Sequence, residues 1–335
     1  VTDYCQRDAE TVSLFSHLDA VIRQKEGIVM VTIGVMGLGG IATRAYLPVY
    51  AEMQDQVTWQ LMTRNEDKLK RLGRQFGLPI AGNTLATLDD QPLDAVMIHT
   101  PTETHAELVR HFLERGVNVF VDKPLATDMA EVKRLYALAE KQGLLLTVGF
   151  NRRFAPFHQV LAQQAVAARA VRVMKTRIAN PDDPVHALWD LLIHPVDTAL
   201  MVANFPVLPA PHYVVQSDTD GRLLRAEVTF ALAHSVITAG IDEQAGVNLE
   251  EAVLTTDHGI LRVQDLSRLT VLTAQGENRQ LAPDWQPTLL TRGFQPMVAA
   301  FVRAVAAHGP NPVAPETSIQ SHQVIADMVA HLPLS

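Results

Sequence analysis

The chain has 335 residues, of which 47% are hydrophobic and 19% charged, with a single cysteine. That is the balance of a globular protein of about two domains; it excludes disorder and low-complexity architectures, a disulfide scaffold and a cysteine-based metal site. Lys plus Arg number 28 against 36 for Asp plus Glu, a formal net charge of −8 with no basic block, which argues against a nucleic-acid partner.

Residues 1–29 carry five acids (Asp3, Asp8, Glu10, Asp19, Glu26) against three bases and no apolar signal-peptide core. They are expected to be either an added amphipathic helix or read-through from an earlier start codon. No apolar run approaches the roughly 18–20 residues of a membrane span, so the expected setting is cytoplasmic, with no membrane partner. From residue 30 to about 150, short apolar strands (Val31–Val35, Val57–Met62, Ala95–His99, Val117–Val121, Leu144–Val148) alternate with helical patterns (Ile41–Met53, Glu66–Phe76, His105–Arg115, Met129–Lys141). That alternation predicts a parallel sheet with helices on both faces. Beyond about 151 the rhythm changes. A helix, Phe157–Ala168, leads to a strand, Ala170–Ile178, and then to a helix carrying Leu188, Leu191, Leu192 and Val196. Strand-like runs with tight turns follow: His212–Gln216, Leu223–Leu232, Ser235–Ile241, Asn248–Thr255, Gly259–Val263 and Leu269–Leu272. These predict a mostly antiparallel sheet. Helices Gly293–His308 and Thr317–Leu332 close a second domain spanning 151–335.

Gly37-Leu38-Gly39-Gly40-Ile41-Ala42 follows the first strand and opens the first helix, matching G-x-G-x-x-A. Gly37 permits the tight turn. Gly39 allows backbone to approach a pyrophosphate, and Gly40 and Ile41 present N–H groups at the helix start. At the end of the second strand an acid would bond the ribose of NAD. Thr63 and Arg64 stand there instead, and a guanidinium suits the 2′-phosphate of NADP. The expectation is NADP(H) over NAD(H). The alternative is a solvated arginine at a helix start.

Two polar loops end later strands: His99-Thr100-Pro101-Thr102-Glu103-Thr104-His105 and Val121-Asp122-Lys123-Pro124-Leu125. Ligands of open α/β sheets bind at such carboxyl ends. Lys123 is one of seven lysines in the chain. Held beside a cofactor, it could donate to a substrate hydroxyl and favour the alkoxide; it could equally pair with Asp122 on the rim.

GVMGLGGIA (34–42), TPTETHAEL (100–108), VDKPLA (121–126) and VGFNRRF (148–154) together resemble the Gfo/Idh/MocA oxidoreductase family. With HPVDTAL (194–200), they are most similar to its MviM-like members. The resemblance covers about residues 30–333. It implies a Rossmann NAD(P)-binding domain over 30–150, with Gly37, Gly39, Gly40, Ile41, Thr63, Arg64, Thr100, Pro101, His105, Asp122 and Lys123 toward the cofactor. It also implies an α+β domain over 151–335 with an open sheet that packs against a second copy, giving a homodimer or higher oligomer. The family's E-K-P motif stands here as Asp122-Lys123-Pro124, one methylene shorter.

Asp190 and His194 are spaced i,i+4 and would share a helix face. A carboxylate beside an imidazole orients it and raises its basicity. The resemblance implies catalytic roles: His194 takes a hydroxyl proton, Asp190 orients His194, and Lys123 binds the same oxygen. Pro195 disfavours helical geometry at His194 and could bend the pair apart. Asp197 could cap or brace the next turn. Asn151, Arg152 and Arg153 would lie at the domain junction, either toward substrate or as an arginine fork holding the domains. Trp189, Arg177, Asn180 and His186 could reach the pocket. No metal site is expected. The implied activity is hydride transfer between nicotinamide and a secondary alcohol or ketone of a sugar, polyol or related small molecule. A nucleotide-binding regulator without catalysis, and a lyase or glycosidase using the cofactor without net redox, are the alternatives.

Overall fold

The computed structural model describes residues 30–164 and 168–332; the expectation for residues 1–29 lies outside them. The first six strands are β1 (Val31–Met36), β2 (Val57–Met62), β3 (Ile80–Gly82), β4 (Ala95–Ile98), β5 (Asn118–Val121) and β6 (Leu146–Val148). They form one parallel sheet in the order β3-β2-β1-β4-β5-β6. Strand order reverses between β1 and β4, and the crevice at that switch point is where doubly wound sheets hold their ligands. Strands buried on both faces explain the near-continuous apolar runs: all four residues of β4 are buried.

Helix bounds follow local chemistry. The Asn65 side chain accepts from the Lys68 N–H at 2.9 Å and starts the helix Glu66–Phe76, which ends on left-handed Gly77. Asp128 and Gly143 do the same for Met129–Gln142. The first helix departs from its expected form. It winds as a π-turn over Ala42–Tyr46 before continuing as α over Leu47–Glu52.

The second sheet contains β7 (Ala168–Thr176), β8 (His212–Ser217), β9 (Leu223–Ala231), β10 (Val236–Asp242), β11 (Leu249–Thr256), β12 (Gly259–Gln264), β13 (Arg268–Thr273) and β14 (Gly276–Leu281). Its order is β14-β13-β12-β11-β7-β10-β9-β8, antiparallel except for the β7–β10 pair. Helix Ile193–Val202, with nine buried residues, lies between this sheet and helix Pro315–Ala330.

The closing helix Phe294–Ala306 packs back on the first sheet. Met297, Val298, Phe301 and Val302 share a core with Val31, Ile33, Tyr46, Tyr50 and Trp59. The chain crosses back beside the site at Gly293, whose φ is +81° and where a Cβ would meet the Asn151 carbonyl oxygen at 2.0 Å; only glycine fits. Among the described residues no helix is long and apolar enough to cross a membrane.

Candidate active site

The glycine loop leaves β1 at Gly37, whose φ is +90°. A Cβ there would lie 2.8 Å from the backbone carbonyl of His99, so side chain and backbone conformation both exclude any other residue. At Gly39 the nearest atom to such a Cβ is 3.9 Å away, which leaves open space above the loop. Gly40 and Ile41 are exposed at the head of the helix, where N–H groups have no preceding carbonyl to bond. Open space, free donors and positive helix potential fit a pyrophosphate. The Arg44 guanidinium reaches back over Gly40, at 3.2 Å from where its Cβ would be. The motif's spacing did not single it out. Thr63 is half-buried at the end of β2, and Arg64 is exposed. Glu66 pairs with Lys70 at 2.5 Å, away from the strand end.

Beneath the loop lies a buried network. The Asp122 carboxylate accepts from Tyr46 Oη at 2.5 Å and from His99 Nδ1 at 3.0 Å. The other nitrogen, Nε2, meets Tyr50 Oη at 2.7 Å, and the His99 ring stacks on Tyr46 at 4.0 Å. Burial pushes the Asp122 carboxyl up, but His99 and the Tyr46 hydrogen bond outweigh it and hold it below the usual range. The shorter acid of the D-K-P motif is therefore held by its own partners immediately before Lys123, its carboxylate engaged by Tyr46 and His99. Tyr46, Tyr50 and His99 were not singled out; the i,i+4 tyrosines in the first helix were the available signal.

His105 also faces inward. Its ring is 1% exposed. Nδ1 lies 2.8 Å from the Pro124 carbonyl and Nε2 lies 2.8 Å from that of Thr100. It ties the two loops together, and neither nitrogen is left to bond a cofactor, which corrects its expected place toward the cofactor. Thr100 and exposed Pro101 remain on the loop's outer side.

Lys123 and Asp190 meet directly, a pairing that was not among the expectations. Lys123 Nζ donates to Asp190 Oδ1 at 2.5 Å and to the Asp190 carbonyl at 2.7 Å. Burial pulls the ammonium down, and Asp190 opposes this without cancelling it. Burial raises the Asp190 carboxyl, but Lys123 brings it below the usual range. Asp190 does not orient His194, which corrects the second expectation: a buried ammonium is a stronger partner for a carboxylate than a neutral imidazole. Among the described residues, no hydrogen-bond partner holds the half-buried ring of His194. Burial first, then the charges of Arg152, Lys123, Lys175 and Arg292, push it well below its ordinary value. Pro195 does not end the helix. A π-turn, Leu188–Leu192, precedes it, and the chain continues as α from Ile193.

The N-R-R stretch behaves as the arginine fork. Arg152 makes a two-pronged bond to Glu250, with Nη2 at 2.8 Å. Arg153 reaches Asp197 through Nε at 3.0 Å. Asn151 Nδ2 donates to the Arg292 carbonyl at 2.8 Å. All three side chains are buried, and so is Trp189, so the expected direct substrate contacts are not what these groups make. Asp197 is a brace: it also accepts from Ser321 at 2.8 Å. Of the remaining candidates, Arg177 lines a cavity with Lys175 and Arg292, whereas His186 pairs with Asp182 at 2.7 Å on the surface. Glu250, the partner of Arg152, gave no sequence signal at all.

Comparison with known proteins decides the family. Residues 31–150 match the model of an oxidoreductase family with an NAD-binding Rossmann fold, and residues 156–274 match a YceM-like C-terminal domain. YceM of Salmonella typhimurium, named as an oxidoreductase, is 35% identical over 85% of this chain and 92% of its own length. The chain belongs to the Gfo/Idh/MocA oxidoreductase family. A family oxidoreductase from Vibrio cholerae superposes with a TM-score of 0.84 at 32% identity, covering 90% of this chain and 98% of that one. The MviM dehydrogenase of Clostridium difficile shares the fold at a TM-score of 0.84 and 24% identity, over 90% of this chain and 99% of its own. A myo-inositol 2-dehydrogenase of Thermotoga maritima is 34% identical over only 36% of each chain. The expected family and the two-sheet architecture are borne out, with an MviM dehydrogenase among the structures that share the fold.

Proposed function

We propose that this oxidoreductase moves hydride between NADP(H) and a secondary alcohol or ketone of a sugar, polyol or related small molecule. The observation that carries the reading is Lys123. It stands at the carboxyl end of β5, with its ammonium fixed by Asp190 and its charge felt at His194, whose ring has no hydrogen-bond partner among the described residues. The nicotinamide, when bound, accepts or gives the hydride. In the oxidising direction the substrate C–H bond breaks with its electron pair, a C=O bond forms, and the hydroxyl proton passes to an imidazole nitrogen of His194. A ring held neutral by burial and by surrounding cations is in the form that accepts that proton. Lys123 donates a hydrogen bond to the same oxygen and steadies its negative charge. Asp190 keeps Lys123 charged and aimed. In reduction the proton returns by the same route.

Gly37, Gly39, Gly40 and Ile41 would hold the pyrophosphate, with Arg44 beside them. Thr100 and Pro101 would flank the nicotinamide end. Thr63 and Arg64 would meet the 2′-phosphate, since no acid stands at the end of β2. The inositol activity named for the Thermotoga relative supports a polyol-like substrate. We take a second copy of the chain as the partner of the open sheet, which sedimentation would test. The reading is tested by screening sugars, inositols and sugar acids with both coenzymes, following absorbance of the reduced nicotinamide. With the best substrate, His194→Ala should lower kcat by about 10²–10⁴. Turnover near that of the unmodified protein would remove His194 from the mechanism. Arg64→Asp should shift the kcat/KM ratio toward NAD, and an unchanged ratio would count against the NADP assignment.

A further inference from the structure

Resting on the redox reading above, we infer that the substrate is anionic, a sugar or polyol bearing a carboxylate or phosphate, and that Arg177 and Arg292 bind that group. A cavity of about 280 Å³ opens between the end of β7, the start of β11 and the segment before the closing helix. Lys175, Arg177 and Arg292 line it, facing Glu250, Asp265 and Asn248. The two acids are already engaged. Glu250 takes both Arg152 and, at 3.2 Å, Lys175. Asp265 accepts from the Glu250 N–H at 3.1 Å and from Arg268 at 3.3 Å. Arg177 and Arg292 are half-buried, and among the described residues neither guanidinium has a hydrogen-bond or ion-pair partner. Two guanidiniums facing one cavity concentrate positive potential there and favour an anion between them, and their planar forks suit carboxylate and phosphate.

The cavity lies beside the arginine fork: Glu250 on its wall takes Arg152, and Asn151 holds the Arg292 carbonyl at 2.8 Å. Lys175 and Arg292 act on His194, and Arg177 acts on Asp190. An anion seated between the arginines would offset the charges that disfavour proton uptake by His194, so the substrate itself would make its base more basic. A neutral polyol would leave that field in place.

The test uses the full chain loaded with NADP⁺ and titrated calorimetrically with D-glucose, D-glucuronate and D-glucose 6-phosphate. At least one charged sugar should bind about tenfold or more tighter than glucose, the span a charge-assisted pair supports; the two charged probes separate carboxylate from phosphate. Arg177→Gln and Arg292→Gln should each remove most of that preference without changing NADP⁺ affinity, and circular dichroism checks their folding. Equal binding of charged and neutral sugars, no preference for either anion, or a preference that survives both substitutions overturns the inference. Anion binding without hydride transfer to any substrate would sink the redox reading and leave this one standing. Turnover of a neutral polyol, unaffected by either substitution, would do the reverse.

Discussion

The brace behind His194 can be weighed from its contacts. Asp197 sits one turn past His194 on the same helix, and its side chain is 1% exposed against 8% for Arg153. The Arg153 guanidinium reaches it through Nε at 3.0 Å, donates to Thr317 at 2.7 Å, and lies 4.6 Å from the Phe205 ring centroid. Asp197→Ala would leave that cation buried with one hydroxyl for company. Removing one partner of such a pair costs about 3–5 kcal/mol, or about 4–7 °C in Tm for a chain of this size. Arg153→Met should cost a similar amount. The double variant Arg153→Met/Asp197→Leu has no charge left to strand, so it should lose about 2–3 kcal/mol less than the two single losses added. Urea unfolding followed by circular dichroism measures all four corners of the cycle. Single losses below about 1 kcal/mol, the scale of an exposed pair, or strict additivity would refute the view that this pair is dry and anchors the helix that carries His194.

Phe301→Ala removes a fully buried ring that packs 5.5 Å from Phe120, and should cost about 3–5 kcal/mol in urea unfolding; a smaller loss would mean that the closing helix is not part of the first core. Burial holds the imidazoles of His158 and His322 down, each to about 4. The unfolded chain protonates them near pH 6.5, so the stability they contribute is complete above that value and falls as pH drops toward about 4; the fall should be shallower in His322→Gln, and an unaltered pH profile of the urea midpoint would contradict it. Gly37→Ala meets the His99 carbonyl and a forbidden φ together, and fluorescence titration should show NADPH affinity reduced by at least about tenfold, more than ~1.4 kcal/mol; binding within twofold of the parent would show that the loop tolerates a Cβ.

Where burial dictates the residues, the fold was open to reading. The apolar runs of β1, β2 and β4 admit only buried strands, and Gly37 admits only a tight turn. Short elements with weak patterns went unseen: β3, the helix Leu85–Asp89 and polar β14 depend on neighbours rather than on their own sequence. The closing helix gave an apolar pattern but no sign of which sheet it would cover. Lys123, Asp190 and His194 were assigned to one site through the family motifs, but the direct bond between Lys123 and Asp190 was not expected. The destination of the Asp190 carboxylate was not legible, because i,i+4 spacing supplies a neighbour without ranking it against a buried ammonium. His105 and the N-R-R arginines carried the composition of a binding site while serving as internal braces. Composition cannot tell the two apart when every partner is a distant backbone carbonyl or carboxylate.

A crystal structure of the protein with NADP⁺ bound tests the central claim most directly. The account predicts the diphosphate on the Gly37–Ile41 loop and the nicotinamide ring facing the space between Lys123 Nζ and the His194 ring. A nicotinamide turned away from both groups, or a coenzyme seated off the glycine loop, would contradict it.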